Sequence, residues 1–354
     1  MSGTSADGVD GALLWTDGVT VKAFGPTKYI PYPASLKRSL IQAYGKRPDP
    51  EGESLAQEIL HYHLNCINVL LKETSQKVDL IGFHGQTIFH TPPETYQIGD
   101  GKALAAEIGI PVVDQFRLND LAHGGQGAPF VPVFHQALAQ DLPKPLVILN
   151  IGGVANVTWI GEKENDLLGF DVGPGNGLID DLIQAHTGFP WDEGGAIAQK
   201  GIIHEKFLEK WLQHPFFDQP PPKSLDRQTF HTCLADIKDI SFEDGVATLT
   251  AFTAAAVQKA LEHFPEPPSL WLVAGGGAHN DTLLSLLRKY IKTEVKKASE
   301  IGWNGDALEA QAFAFLAVRS FKGLPLSFPG TTGVRSACTG GRLSFPYQKT
   351  NTEN

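Results

Sequence analysis

Short apolar runs that stop at glycine-rich turns constrain the fold of this chain more than any other feature. One run covers 78–83 and stops at His84-Gly85, another covers 146–151 and stops at Gly152-Gly153, and a third covers 270–273 and precedes three consecutive glycines. Between them lie stretches with helical apolar spacing, such as 53–74. This alternation predicts an α/β fold with parallel strand pairing and with ligands at the carboxyl ends of the strands.

The length and the turn pattern predict two lobes. A chain of 354 residues is long enough for two domains at about 150 residues each. Pro143 and Pro145 break regular structure at 141–145, so we assign 1–141 to an N-terminal lobe and 142–354 to a C-terminal lobe. Two placements stay open for the last segment of the chain, in the C-terminal lobe or back in the N-terminal lobe. The run after this boundary predicts a hairpin, 146–151 with 154–160, and a similar glycine-rich turn opens the chain.

Charge and cysteine content exclude several classes of function. The net charge of −10 argues against non-specific binding to nucleic acids or anionic membranes. The three cysteines are far apart and form no CxxC pair, so neither a disulfide framework nor a zinc cluster is expected. The first residues lack the features of a signal peptide, and no apolar run approaches the roughly 18 residues of a membrane span. We therefore expect a cytoplasmic protein.

The glycine-rich turn at the N-terminus has the glycine spacing of a phosphate-binding P-loop. Val9-Asp10 stands where that loop needs Lys and Ser or Thr, so the segment is not a Walker A motif. Its backbone N–H groups could still wrap phosphates, and Asp7 could hold Mg²⁺ through water. An ordinary hairpin turn is the alternative. The candidate phosphate-binding residues are Gly3, Thr4, Ser5, Ala6, Asp7, Gly8, Val9 and Asp10.

Two further glycine-rich segments are candidates for a site. The run Gly275-Gly276-Gly277 lets a planar or phosphorylated ligand approach the backbone, although a tight strand-to-helix turn would have the same sequence. Asp171 stands among small residues, in an expected loop before a helix that begins near Leu178. A carboxylate there could act as a general base on water or a hydroxyl. It could also simply cap the helix.

Polar side chains directly after two expected strands suit a sugar substrate. His84, Gln86 and Thr87 follow the first of these strands, and Arg117 and Asp120 follow the second. The planar guanidinium of Arg117 suits a carboxylate, while amide and carboxylate groups suit sugar hydroxyls. The alternative for Arg117 is an ion pair with a neighbouring aspartate, at 114 or 120. The histidines have no acidic partner at ligand spacing, so no metal is assigned to them.

Taken together and in order, these segments resemble the anhydro-N-acetylmuramic acid kinase family, a branch of the actin-like sugar kinases. The similarity extends from residue 1 to about residue 317, over nearly the whole chain. The matching stretches are MSGTSADGVD, GFHGQTIFHTPP, QIGDG, VDQFRLNDLAHGGQGAPFVPVFH, LNIGGVANVT, GFDVGPGN, WDEGGAIAQKG, KSLDRQTF, AGGGAHN and DALEAQAFAFLA.

The resemblance implies two ribonuclease-H-like lobes with a nucleotide and substrate cleft between them. It implies ATP- and Mg²⁺-dependent conversion of 1,6-anhydro-N-acetylmuramic acid to N-acetylmuramic acid 6-phosphate with consumption of water, in peptidoglycan recycling, by a homodimer. Another sugar or acyl kinase on the same scaffold, acting on a free hydroxyl, is one alternative. A nucleotide-gated binding protein is the other.

The motif positions also imply roles for single residues. Asp171 is the expected base, and Glu309 is a second catalytic candidate for orienting water or Mg²⁺, with a surface or helix N-terminal charge as its alternative reading. Arg117 is placed near the lactyl carboxylate. Besides the N-terminal turn, the expected nucleotide-binding residues are Asn150, Gly152, Gly153, Gly275, Gly276, Gly277 and Asn280. The expected substrate-binding residues are His84, Gln86, Thr87, Arg117, Asp120, Gly175 and Asn176.

Overall fold

The chain forms two compact units in the computed structural model, which describes residues 1–3, 5–47, 50–163 and 165–346. The first unit contains Met1–Gln140 together with the segment that begins at Ala307, and the second is Asp141–Asp306. The structure thus groups the segment from Ala307 onward with the N-terminal residues and not with the rest of 142–354. No helix of the described residues is both long enough and apolar enough to cross a membrane.

Strands and helices alternate along the chain, as predicted for an α/β protein. The strands are β1 Gly8–Thr16, β2 Val21–Pro31, β3 Ile81–Gly82, β4 Gln86–Thr91, β5 Glu94–Ile98, β6 Val112–Asp114, β7 Leu146–Ile151, β8 Val154–Ile160, β9 Leu167–Pro174, β10 Leu270–Ala274, β11 Glu294–Lys297 and β12 Arg342–Ser344. The helices are α1 Ala34–Ala43, α2 Pro50–Lys72, α3 Gly101–Ile108, α4 Leu118–Ala122, α5 Val131–Leu138, α6 Gly177–Thr187, α7 Glu205–Trp211, α8 Cys233–Asp236, α9 Phe242–Lys259, α10 Asp281–Ile291, α11 Leu308–Phe321 and α12 Pro329–Thr332.

A five-stranded sheet in the order β11-β10-β7-β8-β9 forms the centre of the second unit. Strand β8 runs antiparallel to both of its neighbours, β7 and β9, whereas β10 is parallel to both β7 and β11. This order and these directions are those of the ribonuclease-H-like sheet that the resemblance implies. The predicted hairpin of β7 and β8 is confirmed. Helices α9 and α10 cover one face, because Val257 of α9 and Leu284 of α10 pack in one core with the fully buried Trp271. Phe252 of α9 packs in a second core with α6 and α7.

The strands of the first unit lie in three smaller sheets. Strands β1 and β2 form a hairpin, β3, β6 and β12 form a second sheet, and β4 pairs with β5. The strand predicted over 78–83 is shortened to Ile81–Gly82. Residues of β1 and β3, one strand from each of the first two sheets, line a mostly apolar cavity together with residues of α2 and α11. The first unit is therefore also α/β, although its described strands do not form one continuous sheet.

Candidate active site

Asp171 lies in the middle of β9 and not in the predicted loop. Its backbone N–H donates to the carbonyl oxygen of Lys223 at 3.0 Å, and the N–H of Leu225 donates to Oδ2 of Asp171 at 2.7 Å. Oδ1 accepts no hydrogen bond from the part of the chain that the structure describes. Burial raises the pKa of Asp171 to about 6, although the bond from Leu225 opposes this shift. The helix-cap alternative is wrong, because Asn176 is the N-cap residue of α6.

The glycine-rich turns of the second unit meet at one edge of its sheet. Parallel β7 and β10 end side by side, so Gly152-Gly153 and the 275–277 turn are neighbours. Gly275 has a positive φ of 76°, and a Cβ there would stand 2.5 Å from Oδ1 of Asn150. The carbonyl oxygen of Gly152 accepts from the N–H of Asn176 at 2.7 Å. The structure thus brings together the predicted residues Asn150, Gly152, Gly153, Gly175, Asn176, Gly275, Gly276 and Gly277.

A cavity of about 420 Å³ opens beside these turns, within the second unit. Three predicted residues line it, namely Asn176, Gly276 and Asn280. Asn176 was expected to contact the sugar, whereas its position groups it with the residues expected to bind nucleotide. Asn280 also caps α10, because its side chain accepts from the N–H of Leu283 at 2.9 Å. The cavity has the concave form and the few convergent polar groups of a small-molecule site.

The N-terminal turn is shorter than predicted. Gly8, Val9 and Asp10 belong to β1, and Val9 is buried, so the turn itself ends at Asp7. Thr4 lies outside the described residues, which leaves Gly3, Ser5, Ala6 and Asp7 as the turn. Within it, the hydroxyl of Ser5 donates to Oδ1 of Asp7 at 2.8 Å, and the N–H of Ala6 donates to the carbonyl oxygen of Gly3 at 3.2 Å.

Arg117, His84 and Thr87 form a polar group in the first unit. The guanidinium of Arg117 lies 3.3 Å from Nε2 of His84 and 3.4 Å from the Thr87 hydroxyl. Burial, together with the charge of Arg117, holds the pKa of His84 well below its usual range, so the imidazole is neutral. Its Nδ1 lies 2.9 Å from the Gly85 carbonyl oxygen and therefore carries the proton, which leaves Nε2 as the acceptor for Arg117.

The ion pair considered for Arg117 is not formed. Asp114 instead binds Arg342 through two hydrogen bonds, at 2.7 and 3.0 Å. Asp120 accepts from the N–H of Gly127 and from the hydroxyl of Thr332, both at 2.6 Å. Burial lowers the pKa of Arg117 to about 10, and it stays protonated at neutral pH. Arg117 therefore presents a half-buried positive charge without an ion-pair partner among the described carboxylates.

Two of the predicted sugar contacts have structural roles. Gln86 is fully buried, and its amide nitrogen donates to the Gly3 carbonyl oxygen at 3.0 Å and to the hydroxyl of Tyr44 at 3.1 Å. The Asp120 carboxylate is buried and is occupied by the loop at Gly127 and by Thr332. Both side chains hold the protein's own backbone, so we leave them out of the sugar site. Glu309 lies exposed in the first turn of α11, a position that also fits its alternative reading as a helix N-terminal charge.

Comparison with known proteins decides the family. The family model of anhydro-N-acetylmuramic acid kinase matches residues 1–346. The chain belongs to this family. A curated relative of that name from Paramagnetospirillum magneticum is 50% identical over 98% of each chain, and one from Methylobacterium nodulans is 48% identical over 98% of each. The family, and with it the phosphotransferase class predicted from the ordered motifs, are confirmed.

Solved structures give more distant likenesses. An activator of 2-hydroxyisocaproyl-CoA dehydratase from Clostridium difficile with bound ADPNP is 14% identical, covers 91% of this chain and 93% of its own, and has a TM-score of 0.46. A ROK family glucokinase from Streptomyces griseus in complex with glucose and AMPPNP is also 14% identical, with coverage of 89% and 97% and a TM-score of 0.42. The strand order and strand directions of this kinase themselves show its fold.

Sequence reasoning missed several residues that line the cavity of this family member. Trp191 is 58% exposed and donates from Nε1 to the Glu193 carboxylate at 2.7 Å. Asp180 lies in the first turn of α6, and burial raises its pKa to about 7. Asp180 follows the segment GFDVGPGN, whereas Trp191 opens the segment WDEGG further along the chain. Only the folding of α6 and the next loop beside the 275–277 turn brings them together.

Proposed function

We propose that this chain converts 1,6-anhydro-N-acetylmuramic acid, ATP and water into N-acetylmuramic acid 6-phosphate and ADP. In the anhydro sugar O6 is bonded to C1, so there is no free hydroxyl to phosphorylate. Water adds to C1, the C1–O6 bond breaks, and O6 takes the terminal phosphoryl group of ATP. The proton of the attacking water passes to Asp171. Hydrolysis and phosphoryl transfer are thus one coupled reaction.

The geometry of Asp171 carries this proposal. One carboxylate oxygen is held by the Leu225 N–H, and the other has no partner among the described residues, so it is free to accept a proton. A pKa of about 6 keeps the carboxylate ionised at neutral pH while making it a stronger base than an ordinary aspartate. Arg117 would bind the lactyl carboxylate, and His84 and Thr87 would fix the orientation of its guanidinium.

The cavity beside the 275–277 turn is the proposed adenosine site. The described residues include no group of three or more His, Cys, Asp or Glu side chains placed to hold a metal ion. Mg²⁺ in this kinase would therefore be bound mainly by the phosphates, with the Asp7 carboxylate as a ligand through water. When bound, the ion would neutralise charge on the transferred phosphoryl group. The homodimeric state and the cytoplasmic location stay predictions.

Isotope incorporation tests the coupled reaction. Incubation with ATP, Mg²⁺ and the anhydro sugar in ¹⁸O-water should give a product that carries one ¹⁸O, on the C1 hydroxyl, because water and not a sugar hydroxyl is the nucleophile. Mass spectrometry with fragmentation locates the label. Unlabelled N-acetylmuramic acid 6-phosphate held in the same water for the same time corrects for exchange at the anomeric carbon. A phosphorylated product without label would instead support a kinase acting on a free hydroxyl.

A graded pair of substitutions tests the adenosine site. A Cβ at Gly276 would meet only the Asn176 side chain, at 3.4 Å, so Gly276→Ala should bind ATP like the wild type. Gly276→Leu extends a side chain into the cavity and should raise the KM for ATP by about tenfold with little change in the KM for the sugar. Steady-state kinetics with each substrate varied in turn provides the measurement. An unchanged KM for ATP in a folded Gly276→Leu variant would place the adenosine elsewhere.

A further inference from the structure

Lys223 is a buried cation next to the segment that holds Asp171. Only 7% of the residue is exposed, and no carboxylate among the described residues lies within ion-pair distance of its ammonium group. The ammonium instead donates to the carbonyl oxygens of Phe216 at 3.0 Å and Phe217 at 3.1 Å. A buried charge is expensive unless hydrogen bonds compensate it, and these two bonds hold the Lys223 ammonium group in place.

His263 completes the environment of this ammonium group. Its Nε2 lies 3.1 Å from Nζ of Lys223 and 2.9 Å from the Phe217 carbonyl oxygen. Nε2 thus lies between a donor, the Lys223 ammonium group, and an acceptor, the Phe217 carbonyl oxygen. The ammonium also stands 4.6 Å from the centre of the Phe216 ring and 6.0 Å from that of Phe170, the residue before Asp171. Two carbonyl acceptors, the His263 imidazole and two aromatic rings therefore surround the ammonium group.

The backbone of the same residue contacts Asp171. The Lys223 carbonyl oxygen accepts from the Asp171 N–H, and two residues later Leu225 donates to the Asp171 carboxylate. The side chain of Lys223 thus connects the segment 223–225 to 216–217 through hydrogen bonds. Its backbone carbonyl connects the same segment to β9. We propose that Lys223 is a positioning residue that keeps the Leu225 N–H on the Asp171 carboxylate and thereby sets its basicity. This inference rests on the proposed role of Asp171 as base.

Loss of the hydrogen bonds of Lys223 should change the pH dependence of kcat/KM. The bond from Leu225 lowers the pKa of Asp171, so its loss raises that pKa. The acid limb of kcat/KM, along which Asp171 loses its proton, then moves to higher pH. The charged and titratable groups around Lys223 are Asp218, Glu262, Lys259 and His263. Burial lowers the pKa of Lys223 to about 8, so its own titration falls on the alkaline side of that limb.

The test compares Lys223→Met with Lys223→Arg. The methionine keeps the length of the side chain but donates no hydrogen bond, and it should lower kcat roughly tenfold, with the acid limb moved upward and the KM for ATP unchanged. Arginine retains the charge and the donors and should restore the position of the acid limb. Lys210→Met is the matched control, because Lys210 pairs with Asp236 on the surface and should tolerate the change.

A second variant keeps the inference falsifiable if Lys223→Met does not fold. His263→Ala removes the imidazole that contacts the ammonium group and leaves the two carbonyl contacts, so it should move the acid limb in the same direction by a smaller amount. A folded Lys223→Met or His263→Ala variant with the wild-type kcat and acid limb would overturn the positioning role. The proposed function fails by a different result, namely full turnover by Asp171→Asn.

Discussion

Replacement of Asp171 by Asn should lower kcat by roughly 10²- to 10⁴-fold, the range that a general base contributes. Asparagine has nearly the same shape, and its side-chain oxygen can still accept from the Leu225 N–H. It cannot take a proton from water, so binding of both substrates should survive while the chemical step does not. Initial-rate kinetics combined with calorimetric titration of an ATP analogue separates the two effects.

The wild-type pH profile provides a check on the same residue. Asp171 acts only when ionised, so kcat/KM should rise as the pH passes through about 6 and then level off. Asp166→Asn, just before the same strand, is the matched control and should retain activity. An Asp171→Asn variant with normal turnover would rule out Asp171 as base and would require a different catalytic group.

Local signals made parts of the fold predictable. The two strands around Gly152-Gly153 have the predicted bounds, because each is a run rich in β-branched residues and the two glycines between them favour a turn. Helix α10 begins directly after Asn280, whose side chain caps it, and asparagine is among the residue types that favour this position. Hydrophobic periodicity and helix caps depend on residues that lie only a few positions apart, so the local sequence is sufficient to predict these elements.

The placement of Asp171 could not be predicted in the same way. The segment 169–174 contains two glycines and a proline, which local preference assigns to a loop. In the structure it pairs with β8 through an irregularity between Ala155 and Asn156, and Asn156 stands opposite Asp171. Pairing with a neighbouring strand outweighed the local preference here, as tertiary contacts often do.

The roles of the polar residues in the first unit depended on distant partners. Asp120 binds Thr332, which lies 212 residues away in sequence, and Asp114 binds Arg342 at a separation of 228 residues. Neither partner is visible from the neighbourhood of Asp114 or Asp120 in the sequence. The residue types at 84–87 and 114–120 therefore predicted a polar cluster. Which of its members stay free for a ligand depended on the C-terminal segment of the chain.

Arg117→Met should weaken binding of the anhydro sugar by roughly 10- to 100-fold, since a hydrogen bond to a charged group contributes about 1.5–3 kcal/mol. The guanidinium is half-buried, and its contacts to His84 and Thr87 are long. No described carboxylate forms an ion pair with it, so the carboxylate of the sugar would be its ion-pair partner. Arg38→Met, an exposed arginine on α1, should bind the sugar like the wild type. Titration calorimetry measures both.

A substrate analogue distinguishes recognition of the lactyl carboxylate from a general loss of structure. The wild type should bind 1,6-anhydro-N-acetylglucosamine, which lacks the lactyl group, about as weakly as Arg117→Met binds the full substrate. Arg117→Met and the wild type should then bind this analogue equally well, because the interaction that the substitution removes is already absent. If Arg117→Met weakened binding of both sugars to the same extent, Arg117 would not be the partner of the lactyl carboxylate, and its contact with His84 would instead support the fold of this region.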